Sequence, residues 1–178
     1  MNLGNLIKSL PKDYRKIPIN GISLNSKKTK KKDVFFALEG KKVSGTKFIT
    51  KAIKKGVSAV VVEKKIINKK YNVPIILVKD ARKILSRSCS KFYKKKPHKI
   101  IAVTGTNGKS SVADFFYQIL NLNKKQVASI GTLGIKSKNY KKKTNLTSLD
   151  SLYLHKNLQI LAKKKINFVI LEASSHGL

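Results

Sequence analysis

Cysteine is nearly absent: Cys89 is the one such residue in 178. A single thiol excludes an internal disulfide and any zinc site built from several cysteines. Cys89 itself reads as a small core residue on a helix. Long apolar runs are absent too. None approaches the ~18–20 residues that a membrane span requires, and the opening MNLGNLIKSLPKDYRK lacks the apolar stretch of a secretory signal. Acidic residues number eight against 40 lysines and arginines, for a formal net charge of +32. Arginine is scarce, three residues of those 40. That scarcity argues against a nucleic-acid reader, because such proteins use the arginine fork to grip phosphate and guanine bidentately. These absences lead to the expectation of a soluble, cytoplasmic chain with neither a nucleic-acid nor a membrane partner. A basic nucleic-acid-binding protein stays open as another reading of the charge alone.

What is present is lysine, in runs at 27–32, 94–96, 141–143 and 163–165. They fall in expected loops and helix ends, where a charge run is usually a solvated face. They should still attract anionic ligands. Hydrophobic residues make up 41% of the chain, enough for a core. DVFFALEG (33–40), VSAVVVE (57–63) and VPIILV (73–78) read as strands. TKFITKAIKKG (46–56) has helical apolar spacing and a glycine at its end. Asp80 can cap a helix to about Tyr93, with Ile84, Leu85, Ser88, Cys89 and Phe92 on one face. KKKPHK (94–99) reads as a linker, which predicts two domains, 1–96 and 97–178. Beyond it come a strand at 99–104, a helix at 109–122, a strand at 126–130, a long polar loop over 131–147, a helix at about 149–164 and a strand at 167–172. Strands alternating with helices predict an α/β fold with a parallel sheet.

The most informative stretch is KIIAVTGTNGKSSVADFFYQIL, residues 99–120. An apolar strand ends in Thr-Gly-Thr-Asn-Gly-Lys-Ser-Ser and passes into a helix. Backbone amides converging at a helix start bind phosphate without side chains, and glycines allow the close approach. Gly105 and Gly108 would form the turn, Lys109 would reach the β- and γ-phosphates, and the Ser110 hydroxyl would sit on Mg²⁺. The strict P-loop pattern has a glycine where this chain has Val103, so the motif is a shorter relative. An ordinary strand–turn–helix connection with Lys109 exposed is the plainer reading.

A second constellation, ILEASSHGL, closes another strand. Ligands of open parallel sheets gather at the carboxyl ends of strands, so Glu172 and the glycine loop are expected to face one cleft. Glu172 is a hard oxygen donor suited to Mg²⁺. His176 reads either as a second ligand or substrate contact, or as an exposed loop histidine. Ser174 and Ser175 read as helix caps. They form no nucleophile elbow of the Gly-x-Ser-x-Gly kind.

Together these residues resemble the Mur ligase family, the ATP-dependent amide-bond ligases of peptidoglycan synthesis. VTGTNGKSS looks like the family's ATP loop, which usually ends in two threonines. LEASSHGL looks like the Glu-Val-Ser-Ser-His-Gly-Leu block of the member that adds the third residue of the stem peptide. ISLNSKKTKKKDVFFALEGKKVSGTKFITKAIKKGVSAVVVE resembles the family's uridine-nucleotide-binding domain, with Asn25-Ser26-Lys27 in place of Asp-Ser-Arg. The fold implied is a small N-terminal UDP-binding α/β domain, then the start of a parallel-sheet, P-loop-type ATP-binding domain. The resemblance implies ATP and Mg²⁺ as cofactors. It implies a monomer acting on UDP-N-acetylmuramoyl-L-alanyl-D-glutamate and a diamino acid, meso-diaminopimelate or L-lysine. By the same resemblance Gly105, Thr106, Asn107, Gly108, Lys109, Ser110 and Ser111 hold ATP, and Ser110 and Glu172 hold the metal. Leu24, Ser26, Lys41, Lys42, Val43, Thr147, Ser148 and Ser174 meet the substrate. Lys109, Glu172 and His176 are the candidate catalytic residues. Leu146 stands where the family usually has asparagine. Family members are much longer, so the expectation is an N-terminal fragment without ligase activity of its own. Another Mur or folylpolyglutamate-type ligase, or a non-catalytic nucleotide-binding protein, is the alternative.

Overall fold

The computed structural model describes residues 1–40, 43–66, 71–143 and 150–173. The chain divides into two compact units, Met1–Phe92 and Tyr93–Leu178. In the first, helices α1 (Leu3–Leu6) and α2 (Lys12–Arg15) precede β1 (Gly21–Ser23). There follow β2 (Asp33–Phe36), a 3-10 turn (Gly45–Phe48) running into α3 (Ile49–Lys54), β3 (Ala59–Val62), β4 (Ile75–Leu77) and α4 (Ala81–Phe92). The sheet order is β1-β2-β3-β4, with every pairing parallel. The inner strands read DVFF and AVVV, and every residue of both is buried. A parallel sheet covered on both faces requires that continuous apolar run. Phe35, Val60 and Val62 pack with Ile49 and Ala52 of α3. On α4 the buried residues are Ala81, Leu85, Ser88 and Cys89, and the Asp80 carboxylate accepts the Lys83 amide at 2.8 Å as its cap. The four-residue helices and β1 carry too little periodicity to be read from the sequence.

The second unit contains β5 (Lys99–Val103), α5 (Lys109–Leu122), β6 (Val127–Gly131), β7 (Gly134–Ser137), β8 (Tyr140–Lys142), α6 (Ser151–Lys163) and β9 (Phe168–Glu172). The sheet order is β5-β9-β6-β7-β8. Pairings β5–β9 and β9–β6 are parallel; β6–β7 and β7–β8 are antiparallel. The expected parallel sheet is present in β5-β9-β6 and is extended by an antiparallel hairpin. One expectation is corrected here: 131–147 is not one polar loop, because it contains β7 and β8. Gly131 pairs with Gly134 across a two-residue turn, and Gly134 takes φ +95°, a conformation glycine enters without strain. Two lysines of this hairpin set their ammonium groups over aromatic rings. Lys136 Nζ lies 4.8 Å from the Tyr117 ring centroid and Lys142 Nζ 4.5 Å from that of Tyr153. A cation over a ring face is attracted by the negative face of the ring's quadrupole. Under the hairpin Ala128, Ile130, Ile135 and Val169 pack with Leu158 and Leu161 of α6.

His155 on α6 has a buried Nδ1 with no hydrogen-bond partner among the described residues. Burial, and next the Lys96 ammonium, lower its pKa from the usual 6.5. The folded state therefore favours neutral imidazole. Stability is full above the unfolded pKa and falls as the pH drops through and below it, where the unfolded chain takes up the proton first. The urea midpoint of the second unit should thus drop between about pH 7 and about pH 5 more steeply in the parent than in His155→Leu. Equal slopes would remove His155 as the cause.

Candidate functional site

The site begins where β5 runs out. Gly105 (φ +152°) and Gly108 (φ +75°) both lie in the region that favours glycine. A Cβ on Gly108 would meet open space, so the demand there is torsional rather than steric. Gly108 is also the residue before α5, and no side chain caps that helix. The free amides of a helix's first turn, with the positive end of its dipole, form an anion-binding position. Lys109 Nζ folds back and donates to Gly105 O at 2.6 Å and Thr106 O at 2.9 Å. The ammonium is thereby held over its own loop.

Glu172, the last residue of β9, lies opposite Val103, the last of β5. Two hydroxyls donate to its Oε2: Ser110 Oγ at 2.9 Å and Thr132 Oγ1 at 2.9 Å. The carboxylate is only 6% exposed, and among the described residues no lysine or arginine pairs with it. Gly131 makes the room, since a Cβ there would overlap the Glu172 carboxyl group. Thr106, Asn107, Gly108, Lys109, Ser110, Ser111, Thr132 and Glu172 line a cavity of about 380 Å³. The ends of β5, β6 and β9 thus converge on one point, the place where parallel sheets bind ligands.

The donor set suits a hard divalent cation. A buried carboxylate needs charge compensation, which two neutral hydroxyls supply only in part. Mg²⁺ takes oxygen ligands, few of them from protein, and leaves the rest to water and phosphate. Among the described residues no cluster of three His, Cys, Asp or Glu is present, so an all-protein cage is not what these residues offer.

The structure brings together Gly105, Thr106, Asn107, Gly108, Lys109, Ser110, Ser111 and Glu172 of the residues singled out from the sequence. Leu24 and Ser26 lie in the first unit, in the turn leaving β1; Ser26 is buried. Val43, 47% exposed, follows β2, which runs parallel to β1. Lys41, Lys42, Thr147, Ser148, Ser174 and His176 lie outside the described residues. Sequence reasoning passed over Gly131 and Thr132, which it assigned to a loop. The available signal was their place directly after the VASI strand, at a strand's carboxyl end.

Known proteins resemble this chain over nearly its whole length. Residues 103–178 match the Mur ligase middle domain, and residues 18–93 match the Mur ligase family, catalytic domain. A UDP-N-acetylmuramoyl-L-alanyl-D-glutamate--2,6-diaminopimelate ligase from Rickettsia montanensis is 42% identical over 171 residues, 93% of this chain and 35% of the relative. The enzyme of that name from Rhizobium meliloti (strain 1021) is 37% identical over 177 residues, 99% of this chain and 36% of the relative. A solved structure of such a ligase superposes with a TM-score of 0.83 at 28% identity, covering 99% of this chain and 36% of that one. The Thermotoga maritima MurF ligase in complex with ADP gives a TM-score of 0.56 at 27% identity, covering 88% of this chain and 32% of its own. The chain spans about a third of the length of the curated relatives it matches.

Replacing Gly131 by alanine should force the Glu172 carboxylate from its two hydroxyl donors and destabilise the second unit by about 1–3 kcal/mol in urea denaturation. An unchanged or raised midpoint would mean that the carboxylate swings aside freely.

Proposed function

We propose that this chain, which belongs to the Mur ligase family, carries the uridine-nucleotide-binding and ATP-binding parts of a ligase of peptidoglycan-precursor synthesis. The reaction is ATP-dependent addition of a diamino acid to UDP-N-acetylmuramoyl-L-alanyl-D-glutamate. The relatives' names favour 2,6-diaminopimelate as that amino acid. The observation that carries the reading is the meeting of Lys109, Ser110, Thr132 and Glu172 at one end of the second sheet. A reaction consuming ATP belongs in the cytoplasm, and among the described residues no helix is long and apolar enough to cross a membrane.

In this reading an oxygen of the D-glutamyl carboxylate attacks the γ-phosphorus of ATP, and ADP leaves. The amine of the diamino acid then attacks the acyl carbon of the acyl phosphate. Inorganic phosphate leaves and the amine loses a proton. Phosphoryl transfer asks the protein for position and charge neutralisation rather than covalent help. The amides after Gly108 hold the phosphates. Lys109 exchanges its two loop carbonyls for phosphate oxygens, a stronger charge-assisted contact. Ser110 and Glu172 would hold Mg²⁺, which supplies positive charge shared between the phosphates. Thr132 fixes one oxygen of Glu172 and so aims the other. Leu24, Ser26, Lys41, Lys42 and Val43 meet the uridine end of the substrate. Thr147, Ser148 and Ser174 meet the muramoyl-peptide end, and His176 is a further substrate or metal contact.

A fluorescent ATP analogue titrated into the 178-residue chain tests this. Lys109→Ala should weaken binding roughly 10–100-fold, the value of one charge-assisted contact. Glu172→Gln should abolish the enhancement by Mg²⁺ while leaving Mg²⁺-free binding within about a factor of two. Binding indifferent to both substitutions would sink the reading. So would loss of the analogue to single-stranded DNA in a salt-dependent way.

A further inference from the structure

The first unit holds a second cavity, of about 880 Å³, within the ~300–1,000 Å³ of small-molecule sites. It lies where the chain leaving α1, the end of β4 and the first turns of α4 meet. Leu24, Ser26 and Val43 do not line it. Leu6, Ile7, Leu77, Val78 and Ile84 give it an apolar lining, and Leu77 is 57% exposed. Lys8, Lys79, Lys83, Arg87 and Lys91 complete most of the wall. Asp80 is the one acidic residue there, and its carboxylate is already engaged as the cap of α4 by the Lys83 amide.

Lysine is common throughout this chain, so a cluster of lysines alone carries no argument. Two features of this wall are specific to it. Lys83, Arg87 and Lys91 follow at intervals of four on α4, which puts them on one face of the helix. Like charges at that spacing destabilise a helix, where an alternating acidic residue would stabilise it. The second feature is the arginine. Of the three in the chain, Arg15 donates to Leu10 O at 3.0 Å and Arg82 to Glu39 O at 2.9 Å. Arg87 has no protein partner among the described residues, and Lys8, Lys79 and Lys83 have no carboxylate partner there. Lys91 donates to Leu6 O at 2.9 Å and so joins α4 to the end of α1.

We propose that this cavity binds a single-chain amphiphile with an anionic head, such as an alkyl phosphate. The chain lies against Leu6, Ile7, Leu77 and Ile84, and the head meets Lys83 and Arg87. The guanidinium fork suits an oxyanion because it can give two parallel hydrogen bonds. A bare anion would leave the apolar lining wet, and an uncharged hydrocarbon would leave the cations unpaired. A ligand carrying both groups satisfies both halves of the wall, and a concave site takes one molecule rather than a bilayer face. The cavity belongs to the first unit and the glycine loop to the second, so the proposal does not rest on the nucleotide reading.

The test is methyl NMR of the 178-residue chain titrated with decyl phosphate below its micelle-forming concentration. The methyl signals of Leu6, Ile7, Leu77 and Ile84 should shift together and saturate with a single ligand per chain. Octyl phosphate should bind about tenfold more weakly, the value of two buried methylenes. Inorganic phosphate and decanol should each bind more weakly than decyl phosphate by about tenfold or more. Lys83→Gln combined with Arg87→Gln should weaken decyl phosphate roughly 10–100-fold. The same pair should leave the melting temperature unchanged or raised, because it removes the like-charge row. Lys124→Gln, Lys125→Gln and Lys138→Gln together remove charge from the other unit and should alter the affinity less than about twofold. Equal weakening by that triple substitution overturns the proposal, because the attraction is then the net charge. Shifts scattered over the chain, or inorganic phosphate binding as tightly as decyl phosphate, overturn it as well. So does displacement of the probe by ADP, which would put its phosphate at the glycine loop. Binding to phosphatidylglycerol vesicles without any response to the monomeric probe also defeats it, the partner then being a membrane surface.

Discussion

One hydrogen bond organises the second unit: Ser110 Oγ to Glu172 Oε2, 2.9 Å long and spanning 62 residues of sequence. It ties the first turn of α5 to the end of β9. It exists because β5 and β9 are parallel neighbours whose last residues, Val103 and Glu172, stand side by side. In the proposed reading, the groups that would hold a phosphate and its cation are placed by that pairing. The loop leaves β5, the carboxylate ends β9, and Thr132 arrives from the end of β6. Antiparallel strands would have put the loop and the carboxylate at opposite ends of the sheet.

The charge distribution follows a similar economy. Of the many lysines, one is at the glycine loop, where its ammonium donates to two loop carbonyls. Lys136 sets its ammonium over the Tyr117 ring and pairs it with Asp114 at 3.1 Å. Hydrogen bonds from Gln118 and Lys136 lower the pKa of Asp114, although that pair is partly exposed and contributes little to stability. The high net charge therefore describes the solvated surface. From Ile100 to Asn123 the charged side chains are Lys109 and Asp114 alone.

Much of this was legible in the residues themselves. Uninterrupted runs such as VVV and VIL marked the inner strands, because a strand buried on both faces has no polar alternation to hide it. The 14-residue spacing of KSSVADFFYQILNL marked α5, and glycines at 105 and 108 marked a turn that other residues enter only with strain. The hairpin of β7 and β8 was hidden, because lysine at 136, 138, 141 and 142 looks polar to any pattern that scores whole residues. The rings that receive Lys136 and Lys142 belong to Tyr117 on α5 and Tyr153 on α6, so only the folded chain brings these pairs together.

The sequence by itself determined where the chain turns, which segments bury both faces, and that a glycine-rich turn lies between an apolar strand and a helix. Those are local properties, written in residues a few positions apart. The tertiary structure alone decided that β9 lies between β5 and β6, and hence that Glu172, Thr132 and Ser110 share one point. Strand order is set by packing between segments tens of residues apart, and no local pattern carries it.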